Sequence, residues 1–342
     1  MKRFAFLFLV LLVAVGAWAA PLEYTGQLTY GFTGNDVAWQ NSYANAYAYF
    51  KANLSADTAA TLKVQANFRN LSGAFPASLT EYYVSQNVGK LIGLPFGLWV
   101  DMGVKDMVAT TFPISDFSME NVAAYDPGAM DVVAFRAKIA DTLNVNAWVN
   151  PMGTLGTAWN SVTNRSRAAV NAWMPIGPAN VSVWYASNGQ AADKGKYGTS
   201  LGLAIPIGDI SIGADVEATT DLSITTANAW STTWGTAIQI GYKGYYIGAE
   251  LIGNQEKLTE SALEFQGTIL PWLGFNTGAN FNMEGPTPLF DSAELGGWLK
   301  WSDGLKFRFG YLVTDNGGRG YSMYVPNPPA KGGFFLKANV SF

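Results

Sequence analysis

The chain is 342 residues long, carries 21 basic against 25 acidic residues, and contains neither Cys nor His. A net charge of −4, with no block of one sign, leaves no electrostatic footprint for nucleic acid, and without Cys there is no disulfide, thiol chemistry or lipidation at an N-terminal Cys. Hydrophobic residues make up 49% of the chain, yet beyond the N-terminal segment no apolar run approaches the ~20 residues of a membrane-crossing helix.

The N-terminal segment, residues 1–19, reads as a secretory signal peptide. Lys2 and Arg3 give the basic start, Phe4 to Val15 the apolar core, and Ala17-Trp18-Ala19 a small-x-small cleavage site. The rest, 20–342, is predicted as one domain whose first strand, Leu22–Phe32, follows directly on the cut. Next comes a hairpin over Ala46–Arg69. Ala46, Ala48, Phe50, Ala52 and Leu54 share one face, and Ser55-Ala56-Asp57-Thr58 turn the chain. Ala60, Leu62, Val64, Ala66 and Phe68 then alternate with Thr61, Lys63, Gln65, Asn67 and Arg69. Each arm has about ten residues, the length of a tilted strand that crosses hydrocarbon. Leu79–Val88 and Phe96–Val104 form a weaker pair, separated by an apolar run that Gly93, Pro95 and Gly97 interrupt.

The hairpin unit then repeats. Val133, Phe135, Ala137 and Ile139 lead into Leu143, Val145, Ala147 and Val149. Ala168, Val170, Ala172 and Met174 turn through Pro175–Pro178 into Val181, Val183 and Tyr185. Leu201, Leu203 and Ile205 turn into Ile210, Ile212, Ala214 and Val216. Trp234, Ile238 and Ile240 turn at Tyr242-Lys243-Gly244 into Tyr245, Ile247, Ala249 and Leu251. Leu263, Phe265 and Ile269 lead to Phe275, Ala279, Phe281 and Met283, and Leu295, Leu299 and Trp301 to Leu305, Phe307, Phe309 and Tyr311. Short turns rich in Gly, Pro, Asn and Asp alternate with longer connections at Thr33–Ser42, Asp106–Met130, Met152–Thr163, Thr220–Ala229 and Thr314–Ala330. The count is about eighteen strands, or sixteen without the weaker pair, and an even count brings both ends of the sheet to the same side. Tyr30, Phe32, Trp234, Tyr245, Trp301 and Tyr311 lie near strand ends on the apolar face, where interfacial girdles belong.

The last segment closes the series. Phe334, Leu336, Ala338, Val340 and Phe342 fall on one face; Phe335, Lys337, Asn339 and Ser341 fall on the other. This strand, ending on Phe342, resembles the last strand of a bacterial outer-membrane β-barrel, and the alternation along the chain resembles a Gram-negative porin. The resemblance implies an all-β, transmembrane, antiparallel up-and-down barrel with short periplasmic turns and longer external loops. It also implies residence in the outer membrane, contact with its lipid, and assembly by machinery that reads the C-terminal strand through Phe342. A homotrimer is common in such proteins. The competing soluble sandwich would need a second apolar face on each sheet, whereas here one face is apolar and the other polar throughout.

A barrel this wide is too broad for side chains to fill and encloses water. The expected function is passive diffusion of small hydrophilic solutes. By likeness of position and length to the third external loop of general porins, 106–130 is expected to fold inward and narrow the pore, with Asp116, Glu120 and Asp126 as constriction acids. Alternation places Lys51, Lys63, Arg136, Lys306, Arg308 and Lys337 on the wet face as a basic wall, and Asp215, Glu250 and Glu264 as an acidic one. Such an arrangement sets a transverse field that filters solutes by charge. Trp148, Trp173 and Trp184 face the lumen on three successive strands, which opens a second reading, a sugar-selective channel that stacks sugar rings on them. A structural or adhesive surface barrel is the third reading. Enzymatic function is not expected: the outer-membrane phospholipase, protease and deacylase mechanisms use a His this chain lacks. No tight carboxylate cluster suggests a metal, and the scattered glycines form no phosphate loop, so no cofactor is expected.

Overall fold

The computed structural model describes residues 22–34, 39–69, 77–107, 129–140, 142–150, 167–187, 195–222, 231–285, 289–314 and 333–341. The predicted signal peptide, Asp116, Glu120, Asp126 and Phe342 lie outside these residues.

Eighteen strands form one sheet. In chain order they are β1 (Leu22–Gly34), β2 (Trp39–Ser55), β3 (Thr58–Arg69), β4 (Ala77–Asn87), β5 (Gly97–Asp106) and β6 (Ala129–Ile139). Then follow β7 (Leu143–Val149), β8 (Ala168–Ile176), β9 (Ala179–Ser187), β10 (Lys196–Ile207), β11 (Ile210–Asp221) and β12 (Ser231–Tyr242). The last six are β13 (Tyr245–Asn254), β14 (Leu258–Leu270), β15 (Leu273–Asn282), β16 (Leu289–Ser302), β17 (Leu305–Thr314) and β18 (Gly333–Ser341). Each strand pairs antiparallel with its neighbours in sequence, and β1 pairs with β18 over Gln27↔Ser341 to Gly34↔Phe334. The sheet therefore closes on itself and leaves no edge. The fold is a transmembrane up-and-down barrel.

The weaker predicted pair is real. Tyr82↔Val104 through Asn87↔Trp99 set its register. What weakened its signal is the connection between the strands, which holds a one-turn helix, α1 (Val88–Leu91), capped by the Asn87 side chain accepting from Lys90 N. Lys90 is tied to Asp57 in the β2–β3 turn at 2.7 Å. The strands beside the first long connection run further than expected: Thr33↔Asn41 and Gly34↔Trp39 are still paired, so the predicted loop Thr33–Ser42 shrinks to 35–38. Polar residues above the apolar band satisfy their backbone groups by continuing the ladder, which hydropathy does not register.

Two-residue turns join several hairpins. At Lys243-Gly244 both residues have positive φ, 46° and 86°, the geometry that lets a tight hairpin follow the twist of its strands. Isoleucines at 205, 207, 238, 240 and 247 are among the large apolar side chains left exposed, and they share the same face. On a lone soluble domain such a belt would be a liability; on a barrel it is the lipid-facing band. Aromatic pairs sit within it: Tyr197 is opposite Tyr185, and Tyr311 packs edge-on to Phe334 at 4.8 Å. Among the described residues no helix is long and apolar enough to cross a membrane.

Candidate channel interior

The pairing register fixes which side chains share the inner face. From β2 to β6 the rungs Lys63↔Glu81, Ala59↔Ser85↔Asp101 and Trp99↔Arg136 hold the polar set together. Several of these residues line a single recess of about 380 Å³, including Lys51, Tyr83, Trp99, Lys105 and Arg136. A recess spanning five strands lies on the concave side of the curved sheet, so this face is the interior.

Its charges are organised by cross-strand partners. Asp101, 0% exposed, accepts from Arg136 through Nε at 2.8 Å and Nη2 at 2.9 Å, from Ser85 Oγ at 2.6 Å, and from Lys105 Nζ. Lys63 Nζ lies 2.8 Å from Glu81, which also accepts from Tyr49 Oη at 3.2 Å. Lys51 pairs with Glu23 at 3.1 Å. Three predicted basic-wall residues are therefore compensated by carboxylates on the next strand. Sequence reasoning missed Glu23, Glu81, Asp101 and Lys105. Their alternation was visible, but which residue stands opposite which depends on register.

The other predicted basic residues lie together. Lys306 and Arg308 on β17 and Lys337 on β18 share the inner face, with Arg308 opposite both Trp298 and Lys337. Lys306 Nζ stands 4.5 Å from the centroid of the Trp298 ring, a cation–π contact. The predicted acids Asp215, Glu250 and Glu264 lie on β11, β13 and β14. The structure adds Glu217, Glu260 and Glu294, so the carboxylates occupy a sector running from β11 to β16. Asp215 is opposite Ala237 and Ala237 opposite Glu250, which puts these two acids on one rung.

Between the charged sectors lies an uncharged one. Asn144, Asn146 and Trp148 on β7 pair with Trp173, Asn171 and Ala169 on β8, and Asn171 and Trp173 pair in turn with Trp184 and Ser182 on β9. Trp148 and Trp184 are 4% and 2% exposed and form an apolar cluster with Met107, Val132, Ala134, Ala169 and Ala186. Trp184 lies flat against the wall over Gly198, where an added Cβ would fall 2.3 Å from its Nε1. Of the three predicted stacking residues, only Trp173 is part-exposed. Among the described residues no group of three acidic side chains converges on a metal position.

No protein-family model matches the chain, and no curated protein matches it. Solved structures do. The outer-membrane protein OpdK of Pseudomonas aeruginosa matches with a TM-score of 0.62 at 10% identity, over 94% of this chain and 99% of that one. OccK8 (OprE) of the same organism matches at 0.60 and 10% identity, over 95% and 98%. OccAB4 of Acinetobacter baumannii matches at 0.59 and 9% identity, over 94% and 97%. The likeness is one of fold and spans nearly the whole of each chain. The chain shares the barrel fold of these outer-membrane proteins, and no particular family is resolved.

Proposed function

We propose that the protein is an outer-membrane porin, a water-filled channel for passive diffusion of small hydrophilic solutes. The observation that carries this reading is the closed eighteen-strand sheet with apolar side chains outside and ion-paired, amide-bearing side chains inside. A cylinder of this strand number is too wide for its own side chains to fill. Residues 1–19 direct export, and the C-terminal strand ending at Phe342 addresses the assembly machinery. Self-association into a trimer belongs to the same reading, and cross-linking in membranes tests it.

Residues 106–130, carrying Asp116, Glu120 and Asp126, narrow the pore from the external side. Support comes from the apolar cluster of Met107, Val132, Ala134, Trp148 and Trp184. It is an apolar patch on an otherwise polar wall, it is buried, and it adjoins both ends of that connection. Purified protein in planar bilayers gives stepwise currents on this account, and deleting 110–126 enlarges the steps. A folded preparation that never conducts contradicts the channel.

The uncharged Asn and Trp sector of β7–β9 favours a second reading, a channel selective for neutral, ring-bearing solutes such as sugars. Trp173 presents the accessible ring. Concentration-dependent block of the current by an oligosaccharide, relieved in Trp173→Ala, distinguishes this reading from plain diffusion.

A further inference from the structure

The inner wall at β15 and β16 concentrates acceptors that have no donor. Glu294 is 1% exposed; Asn276 Nδ2 donates to its Oε1, and its Oε2 has no hydrogen-bond partner. Ser292 is 0% exposed and its Oγ is likewise unpartnered. Asn280, directly opposite Ser292 across the ladder, has an unpartnered buried Oδ1. Ser292 and Glu294 are neighbours on one face of β16, so the three groups occupy adjoining rungs, ~5 Å apart across the pair and ~7 Å along the strand.

Two further carboxylates flank them. Glu264 shares the rung of Glu294 across Gly278, which contributes no side chain. Glu250 shares the rung of Asn280 and Ser292 through Ala262. The β17 side supplies no donor on that rung, because the residue opposite Glu294 is Leu312, buried with Phe335 in an apolar pair. Arg308 lies further along β17 beside Trp298; its charge acts on Glu294 through space, but no hydrogen bond joins it to Oε2.

Buried acceptors in native proteins are nearly always satisfied, and a carboxylate oxygen left without a donor is among the costlier omissions. The carboxylates here do not converge as metal ligands do. A ligand group with positive charge and several N–H donors would satisfy the three acceptors and match the neighbouring carboxylates. A primary ammonium has one charge and three donors, and it meets that description.

We propose that this stretch of inner wall is a binding seat for solutes bearing a primary ammonium group. Glu294 is the anionic partner, Asn280 and Ser292 are the supplementary acceptors, and Glu264 and Glu250 add negative potential from neighbouring strands. The seat rests on the interior being a solute path. Because Glu264 and Glu294 sit two strands apart, ~10 Å, a diamine engages both and binds more tightly than a monoamine.

The test is calorimetric titration of 1,5-diaminopentane into the refolded full-length barrel in detergent, with planar-bilayer currents recorded from the same preparations. Wild type should bind saturably and ignore 1,5-pentanediol. Glu294→Gln should weaken binding by about tenfold or more, and Ser292→Ala by a smaller factor. Glu284→Gln, an exposed carboxylate at the start of the β15–β16 connection beside Lys257, should change nothing. Should Glu294→Gln fail to fold, Ser292→Ala decides. A conducting wild-type protein that does not bind the diamine, or binding unmoved by both substitutions, overturns the seat and leaves the channel standing. Glu294-dependent binding in a barrel that never conducts upholds the seat and refutes the channel.

Discussion

Replacing Asp101 with Asn tests whether the interior is organised by paired charges. The substitution keeps the volume but removes the charge that Arg136, Lys105 and Ser85 converge on. Two cations are then left facing an amide. Removing one member of a buried ion pair costs about 3–5 kcal/mol. Here the Arg136 side chain is 41% exposed and can turn to water, while that of Lys105 is only 14% exposed. The expected loss therefore lies near the lower end, about 3 kcal/mol. Guanidinium unfolding in micelles, followed by tryptophan fluorescence, measures it. Asp101→Asn/Arg136→Gln removes one stranded cation and should recover at least ~1 kcal/mol relative to additivity. A single substitution within about 0.5 kcal/mol of wild type, the ordinary scatter of surface changes, refutes the argument that this carboxylate anchors the wall.

Neighbouring positions on one strand should respond oppositely to the same residue. Ile238→Arg places a cation in the lipid band and should cost about 2–4 kcal/mol, whereas Gln239→Arg should fold normally and shift reversal potentials toward anions. Comparable stabilities for the two variants would contradict the alternation of faces. Gly198→Ala drives a methyl into the Trp184 ring and should destabilise by about 1–3 kcal/mol. Adding Trp184→Ala should return much of that loss, and failure to do so would mean that the flat ring is not what the glycine accommodates.

The fold was legible because lipid and water impose a period of two on every strand, and a single sequence displays that period directly. Even the β4–β5 pair could be discerned through the break at Gly93 and Pro95. The interior was legible only by face. Lys63 and Glu81 could each be assigned to the wet side, but their contact depends on the register that runs from Thr58↔Gln86 to Lys63↔Glu81, which composition does not announce. Glu294 went unnoticed because one acid among several alternating polar residues carries no local mark. Its distinction is burial beside Leu312 and Phe335, which are brought there from β17 and β18. Trp148 and Trp184 were placed on the right face, but burial separates them from Trp173, and burial is a property of the assembled wall.

The native chain has no Cys, so single cysteines placed along β2 from Tyr47 to Asn53, whose inner-face positions are part-exposed or exposed, and reconstituted into liposomes report the surroundings of each side chain directly. The account predicts that positions 47, 49, 51 and 53 react with a membrane-impermeant maleimide and that 48, 50 and 52 do not. Uniform protection along the strand, or reactivity with no period of two, would contradict a cylinder wet within and bathed in lipid without.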